Sequence, residues 1–200
     1  MAEITVPDHD ELRRVTPTLS APAQANYSGW TGGRKVVGQP GIETWRGKIA
    51  IPDMTTEAEE RPWRAFVFAL KNQANWFRYK LPCADHVGNK PIVGDGPSNG
   101  YTLPLSGMTP SRTILEAGQY MTVPLPSGRL RAVCLTADLI TNGSGQALAQ
   151  FQPALSEIPA EGVTVETKDP FIPMSPVLDA LPWDGDDGIS SFGFDVEEFR

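Results

Sequence analysis

Cys83 and His86 are the residues whose types and spacing first suggest chemistry, because thiolates and imidazoles are the ligands that zinc prefers. A structural zinc site needs four ligands, and the other cysteine and histidine, Cys134 and His9, lie far away in the sequence. A cysteine nucleophile with a histidine base also needs an orienting group and an oxyanion pocket, which no further motif supplies. We therefore predict no enzymatic activity, no metal and no cofactor, with both cysteines as buried free thiols.

Two further patterns resemble ligand sites only in part. Asp184, Asp186 and Asp187 begin like a calcium-binding loop, but no glutamate follows where such a loop closes. The pair Gly94 and Gly96 does not lie between a predicted strand and a predicted helix, as a phosphate-binding loop would require. We interpret the first pattern as a solvated turn and the second as a connection.

The composition limits the classes of function. Seventeen basic and twenty-four acidic residues give a formal net charge of −7, which argues against a nucleic-acid-binding surface and favours protein partners. Nineteen glycines and nineteen prolines indicate a β-rich fold with frequent turns. No stretch approaches the roughly 18 apolar residues of a membrane span, so we expect no membrane insertion.

The segment 56–73 is the one stretch with the pattern of an amphipathic helix. Trp63, Phe66, Val67 and Leu70 recur at the spacing that places side chains on one helix face, and burying that face requires a sheet. Thr56 and the acidic residue three positions later, Glu59, have the form of a capping box.

Pro62 leaves two starts for this helix open. Proline lacks the N–H that a helix interior needs, so either an acidic first turn kinks at Pro62 or the regular helix begins there.

The strands around the helix are predicted from alternating hydrophobicity. Residues 31–37 and 43–51 have the pattern of a strand, a turn and a second strand, and residues 76–81 alternate again after the helix. Trp76 falls on the polar face of its strand, which makes it a candidate for a subunit interface. The predicted core comprises Trp45, Ile49, Ile51, Trp63, Phe66, Val67, Leu70, Phe77 and Tyr79.

The remaining chain divides by composition. Residues 1–28 are polar and contain several prolines, which predicts an extended arm. Residues 83–104 are rich in Gly, Pro and Asn and predict an irregular connection. Segments 118–125, 129–139 and 147–151 predict a three-stranded meander, segment 162–166 a fourth strand, and segment 189–196 a strand that returns to the first sheet.

Several short motifs occur in an order that resembles the tail proteins of tailed bacteriophages, and most closely the distal tail proteins. The resemblance runs from about residue 30 to the C-terminus. The motifs are Thr31-Gly-Gly, Gly38-Gln-Pro-Gly41, Trp45-x-Gly-x-Ile-x-Ile-Pro-x-Met54, Trp63-Arg-Ala-Phe66 with Leu70, Asn75-Trp-Phe77, Glu116-Ala-Gly-Gln-Tyr120, Gly128-Arg-Leu130, Gly143-x-Gly145-x-Ala147 and Gln152-Pro-Ala-Leu155.

The resemblance implies a mainly β fold, in which a β-sandwich or split-barrel tube-type domain carries one packed helix and a small inserted β-barrel. With the arm at 1–28, the tube-type domain would comprise residues 29–82 and 169–200, and the insertion residues 83–168. The meander and the returning strand, inferred from the residues alone, agree with this division.

The same resemblance implies a structural protein of the virion, assembled in the host cytoplasm. Its copies would form a ring, a homohexamer by resemblance, at the distal end of the tail tube. The ring would contact the tail tube protein on one side and the tail hub and tip proteins on the other. DNA would pass through it as cargo without binding. The alternative from another class is a carbohydrate-binding module, in which exposed aromatic residues of 83–168 would bind a host surface glycan.

Overall fold

The structure is a computed structural model that describes residues 1–9, 12, 17–38, 43–51, 53–82, 86, 88–177, 185–186, 189–190 and 193–200. These residues form a mainly β fold with one α-helix, which confirms the predicted fold class. The helix is α1 (Glu57–Ala69). The strands are β1 (Thr18–Ser20), β2 (Ala23–Tyr27), β3 (Arg34–Gly38), β4 (Thr44–Ala50), β5 (Phe77–Lys80), β6 (Ile92–Val93), β7 (Thr102–Ser106), β8 (Thr113–Leu115), β9 (Tyr120–Pro124), β10 (Leu130–Leu135), β11 (Leu139–Ile140), β12 (Ala147–Gln152), β13 (Phe171–Pro176), β14 (Gly185–Asp186), β15 (Ile189–Ser190) and β16 (Gly193–Glu198).

The terminal sheet takes its strands from the two ends of the chain, in the order β1-β4-β16-β13-β5, with antiparallel neighbours. The helix buries its apolar face against this sheet. Phe66 makes an edge-to-face contact with Phe77 of β5, with ring centroids 5.5 Å apart. This hydrophobic group, the terminal cluster, also contains Trp45, Ile49 and Leu70.

The helix begins at Glu57 and continues through Pro62, which settles the start that the sequence left open. Thr56 is the N-cap, and its hydroxyl accepts a hydrogen bond from the Glu59 amide at 3.3 Å. The Glu59 carboxylate in turn accepts from the Thr56 amide at 3.3 Å. The acidic first turn is therefore part of the helix, and the predicted capping box is present.

The central sheet is formed by residues 92–152, in the order β6-β7-β12-β10-β9. The meander predicted from the sequence is present, since β10 pairs with both β9 and β12. Its apolar residues form the central cluster, which includes Leu103, Met121 and Phe151. Most buried apolar side chains of the described chain thus belong to one of two groups, each covered by its own sheet.

The predicted pairing of residues 31–37 with 43–51 is wrong. Strand β3 pairs with β2, in a register that sets Tyr27 opposite Arg34. Strand β4 has no free edge for β3, because β1 occupies one side and β16 the other. The partner of β3 lies on its N-terminal side, across a turn at residues 28–33, and not on its C-terminal side.

Two predictions about the central region also fail. Residues 83–104 were expected to be irregular, yet they supply β6 and the start of β7, and Pro104 of β7 lies opposite Leu148 of β12. The Pro104 carbonyl still accepts a bond from the Gly94 amide at 2.9 Å, so a proline can be accommodated here. Residues 162–166 make isolated bridges at Thr164 and Glu166 instead of a regular strand.

The N-terminal residues are not a detached arm throughout, as predicted for 1–28. Val6 is buried in the terminal cluster, and the Ile4 amide donates to the Trp76 carbonyl at 2.7 Å. Strand β1 completes one edge of the terminal sheet. The physical reason is that Ile4 and Val6 are apolar and lie beside the open edge of β5, where the backbone needs hydrogen-bond partners.

The two ends of the predicted insertion lie side by side. Lys80 of β5 pairs with Phe171 of β13, and the Leu81 amide donates to the Pro170 carbonyl at 2.8 Å. The chain therefore leaves the terminal sheet at one point, builds the central sheet and returns to the adjacent strand. Whether residues 83–168 fold as an independent domain stays a prediction.

Candidate functional site

The hairpin of β2 and β3, residues 23–38, is the most exposed ordered element of the described chain. Every one of its strand residues is exposed to solvent. Its tip is closed by two backbone bonds, from the Ser28 amide to the Gly33 carbonyl at 2.9 Å and from the Gly32 amide to the Ser28 carbonyl at 3.0 Å. Gly32 has a φ of 65°, which suits a residue without a Cβ.

The two faces of this hairpin differ. The register places Tyr27 opposite Arg34 and Ala25 opposite Val36, so these four side chains share one largely apolar face. The other face is polar and carries Asn26 opposite Lys35, and Gln24 opposite Val37. An isolated two-stranded hairpin is marginally stable in water at best, so an exposed apolar face on one points to a partner.

The tip of the hairpin presents Trp30 with its side chain 100% exposed. Tyr27, behind the tip, is 71% exposed and lies under the Arg34 guanidinium, which is 5.8 Å from the ring centroid. Tryptophan, tyrosine and arginine are the residue types that dominate binding energy at protein interfaces. The arrangement is therefore suited to binding a protein surface.

A cleft of about 450 Å³ lies on the β6 side of the central sheet. Ile92 and Leu148 give it exposed apolar lining, and Asp95 and Glu161 give it two carboxylates. Neither carboxylate makes an ion pair with the described residues. The cleft can accept an apolar side chain from a segment that also carries basic residues.

A buried polar cluster joins the terminal and central sheets. Arg131 of β10 forms an ion pair with Glu198 of β16 and donates to the Glu43 carbonyl at 2.7 Å and to the Ala154 carbonyl at 3.2 Å. The Glu43 carboxylate accepts from the Ala154 amide at 3.3 Å and from the Tyr101 hydroxyl at 3.2 Å. This cluster fixes how the two sheets meet, because each of its bonds has a geometric requirement.

Burial raises the pKa of Glu198 above its ordinary value of 4.5, although Arg131 and Arg200 lower it in part. One carboxylate oxygen of Glu198 is buried without a hydrogen-bond partner among the described residues. The charge on Glu198 therefore depends on Arg131, which is the nearer of its two arginine partners.

Two further hydrogen bonds cross between the sheets. The Trp45 indole N–H donates to the Ala132 carbonyl at 2.8 Å, and the Thr122 hydroxyl donates to the Phe171 carbonyl at 2.7 Å. Both are buried. The central sheet is thus attached to the terminal sheet by specific buried contacts and not only by the chain connections.

The predicted core residues lie together in the terminal cluster. Eight of them are buried, and Tyr79 is half-buried against the same cluster, where burial and the neighbouring Tyr120 raise its pKa. The eight are Trp45, Ile49, Ile51, Trp63, Phe66, Val67, Leu70 and Phe77.

Trp76, the candidate interface residue, is half-buried within the chain. Its ring stacks on Phe199, with centroids 6.2 Å apart and 18° between the planes. Its backbone bonds to Ala2 and Ile4. Much of Trp76 is therefore occupied by the two chain ends, and a role between subunits stays a prediction.

The weak ligand patterns are not brought together. His86 contacts the Thr167 hydroxyl at 2.7 Å, and Cys134 is a half-buried thiol whose pKa is raised by burial. Cys83, Asp184 and Asp187 lie outside the described residues, as does the side chain of Asp186. Within the described part of the chain, no three His, Cys, Asp or Glu side chains could hold a metal ion together.

Sequence reasoning missed the hairpin and the Arg131 cluster. A signal for the hairpin is present, since Tyr27 and Val36 lie on either side of a turn-forming Ser-Gly-Trp-Thr-Gly-Gly run, but the polar composition before it favours an arm. Arg131 gave no signal, because an arginine inside an alternating strand pattern is normally on the solvent face.

Comparison with protein-family models finds no match to this chain, and comparison with curated protein sequences finds none either. In the described residues, α1 is too short and too polar to cross a membrane, and it is the sole helix there.

Proposed function

We propose that this chain is a structural subunit of a bacteriophage tail, whose copies form a ring at the distal end of the tail tube and connect the tube to the tail hub and tip proteins. The proposal takes its biological setting from the motif resemblance. The same proposal places the chain in the virion, has it assemble in the host cytoplasm and has DNA pass through the ring without binding.

The observation that supports assembly is the exposed hairpin 23–38. A folded chain gains little from a partly apolar hairpin whose strand residues are all exposed to solvent, unless another surface covers it. Most soluble oligomers are homo-oligomers with closed symmetry, and a contact between two different surfaces closes into a ring when the rotation between copies allows it.

The carbohydrate-binding alternative has less support. It needs exposed aromatic rings in residues 83–168, and the aromatic residues of that region are Tyr101, Tyr120 and Phe151. Phe151 is buried and both tyrosines are half-buried. The exposed large apolar residues of the region are aliphatic.

The test combines light scattering with negative-stain electron microscopy of the purified chain. We expect a single oligomer and ring-shaped particles at micromolar concentration. A labelled antibody against the chain should bind at one end of the tail in phage particles that contain it. A stable monomer together with antibody label on no part of the tail would refute the proposal.

A further inference from the structure

We propose that the ring contact is made by the hairpin 23–38 of one copy, whose Trp30 inserts into the cleft between Ile92 and Leu148 of the next copy. This inference rests on the proposed ring function and names the partner of the hairpin, a second copy of this chain.

The tip of the hairpin and the cleft both expose apolar surface. Trp30 is fully exposed at the tip, and the cleft exposes Ile92 and Leu148, the latter at 53%. Tryptophan is enriched among the anchor residues that dominate binding energy at protein interfaces, because its large ring buries much apolar area. The cleft of about 450 Å³ gives this anchor a place on the chain itself.

Charge is matched as well. The hairpin carries Arg34 and Lys35 and no acidic residue, although the whole chain has a net charge of −7. The cleft carries Asp95 and Glu161, which lack an ion-pair partner among the described residues, and no basic residue lines it. Opposite charges on two surfaces speed their encounter and set their register.

The other exposed aromatic surface of the described chain fits the hairpin less well. Phe68 is exposed on the outer side of α1, but the carboxylates of Glu57 and Glu60 on the same helix are already paired with Arg61 and Arg64. This surface therefore offers Arg34 and Lys35 less uncompensated negative charge than the cleft does. The cleft is therefore the better partner for a basic, apolar hairpin.

The two surfaces are different, so the contact is head-to-tail. Within one chain the hairpin is exposed along its length, and Ile92 and Leu148 of the cleft remain exposed, so the contact must join separate copies. A head-to-tail contact repeats from copy to copy and generates either a closed ring or an open filament.

The test mixes two variants that each keep one half of the contact. Trp30→Ala removes the anchor but leaves the cleft intact, and we expect self-association about thirty-fold weaker. Leu148→Arg fills the cleft and adds a charge that repels Arg34, but leaves the hairpin intact. Each variant alone should be monomeric by light scattering at a concentration where the natural chain is assembled.

Mixed in equal amounts, the two variants should form a one-to-one heterodimer, because one intact hairpin then meets one intact cleft and the chain of contacts stops there. Phe68→Ala is the matched control, since it also removes an exposed aromatic ring and should leave assembly unchanged. Thermal melts check that the variants are folded.

A charge reversal provides an independent measurement. Lys35→Glu should weaken assembly, and Glu161→Lys in the same chain should restore it, because the ion pair is then reversed between copies. A double variant no better assembled than Lys35→Glu alone would contradict the assigned contact.

The outcomes separate this inference from the proposed function. Rings of the natural chain with no heterodimer in the mixture would overturn the hairpin contact and leave the ring. Filaments of the natural chain with a heterodimer in the mixture would support the contact and overturn the ring. Monomers in both experiments would overturn the hairpin contact and the ring formed by the chain alone, and antibody labelling of the tail would then decide the proposed function.

Discussion

At the scale of single residues, Arg131 is the side chain on which the junction of the two sheets depends. It is 4% exposed and directs three of its donors at Glu198, Glu43 and Ala154. Two buried charges are costly to desolvate, and the pair is tolerable only while both partners are present and hydrogen-bonded. The pair therefore fixes how the two sheets meet more than it stabilises the fold.

Arg131→Met should lower the free energy of unfolding by about 3–5 kcal/mol, because it leaves Glu198 buried without its partner. Arg129→Met is the matched control, since Arg129 is exposed on the same segment and its loss should change stability by no more than about 0.5 kcal/mol. Urea denaturation of both variants measures the difference. Equal effects would show that the ion pair does not hold the two sheets together.

The same variant should respond to pH in a defined direction. Burial already raises the pKa of Glu198, and removing Arg131 removes the largest influence that lowers it. A carboxyl group with a raised pKa binds its proton more tightly in the folded state, so stability rises as pH falls through the folded pKa toward 4.5. The loss of unfolding free energy caused by Arg131→Met should therefore become smaller as the pH falls from neutral toward 4.5. A loss that does not change with pH would contradict this expectation.

At the scale of elements, α1 offers two phenylalanines in opposite environments. Phe66 is 3% exposed and Phe68 is 68% exposed on the same helix. Phe66→Ala should cost about 3–5 kcal/mol through the cavity that it leaves beside Phe77, whereas Phe68→Ala should cost about 0.5 kcal/mol or less. Thermal melts of the two variants give the comparison, and the reverse order would mean that the helix buries its other face.

The elements also show how far the sequence determines the fold. The periodicity of Trp63, Phe66 and Leu70 predicted the helix and its buried face, because that signal is local and repeats every turn. The partner of β3 could not be predicted in this way. Pairing is decided by which edges remain free, and β4 is enclosed by β1 and β16, one of which comes from the far end of the chain.

The residues of the candidate site can likewise be found in the sequence, but their arrangement cannot be predicted from it. Trp30 and Tyr27 can be found in the sequence, but their exposure depends on what packs against the hairpin, which is a property of the whole fold. The cleft is assembled from residues of four separate segments, and its carboxylates, Asp95 and Glu161, are distant from each other in the sequence. No local pattern could have brought them together.

At the scale of the whole molecule, residues 83–168 can be tested as an insertion. Lys80 and Phe171 are paired, so a short Gly/Ser linker can replace the segment at little entropic cost. We expect the shortened chain to keep its terminal sheet and melt cooperatively, at a lower temperature than the intact chain. The Trp45 indole loses its acceptor, the Ala132 carbonyl, and Glu198 loses Arg131, which is why stability must fall. Loss of a cooperative melt would mean that the two clusters form one core.

Net charge leads to the last prediction, that the assembled protein binds DNA weakly or not at all. The acidic residues of the first helical turn do not supply free negative charge for a channel, because Glu59 caps the helix and Glu57 and Glu60 pair with Arg61 and Arg64 at 3.4 and 3.1 Å. The expectation rests instead on the overall charge of −7 and on Arg34 and Lys35, the basic residues of the hairpin, being covered by Asp95 and Glu161 of the next copy.

A filter-binding titration at low salt measures this directly, since screening is weakest there and exposed lysines and arginines would reveal themselves. The natural chain should retain little DNA, whereas Trp30→Ala, which leaves the basic hairpin uncovered, should retain more. Lys35→Glu added to Trp30→Ala should remove the excess, because it removes the exposed positive charge. Micromolar or tighter binding by the natural assembly, weakening steeply with salt, would contradict passage of DNA as unbound cargo.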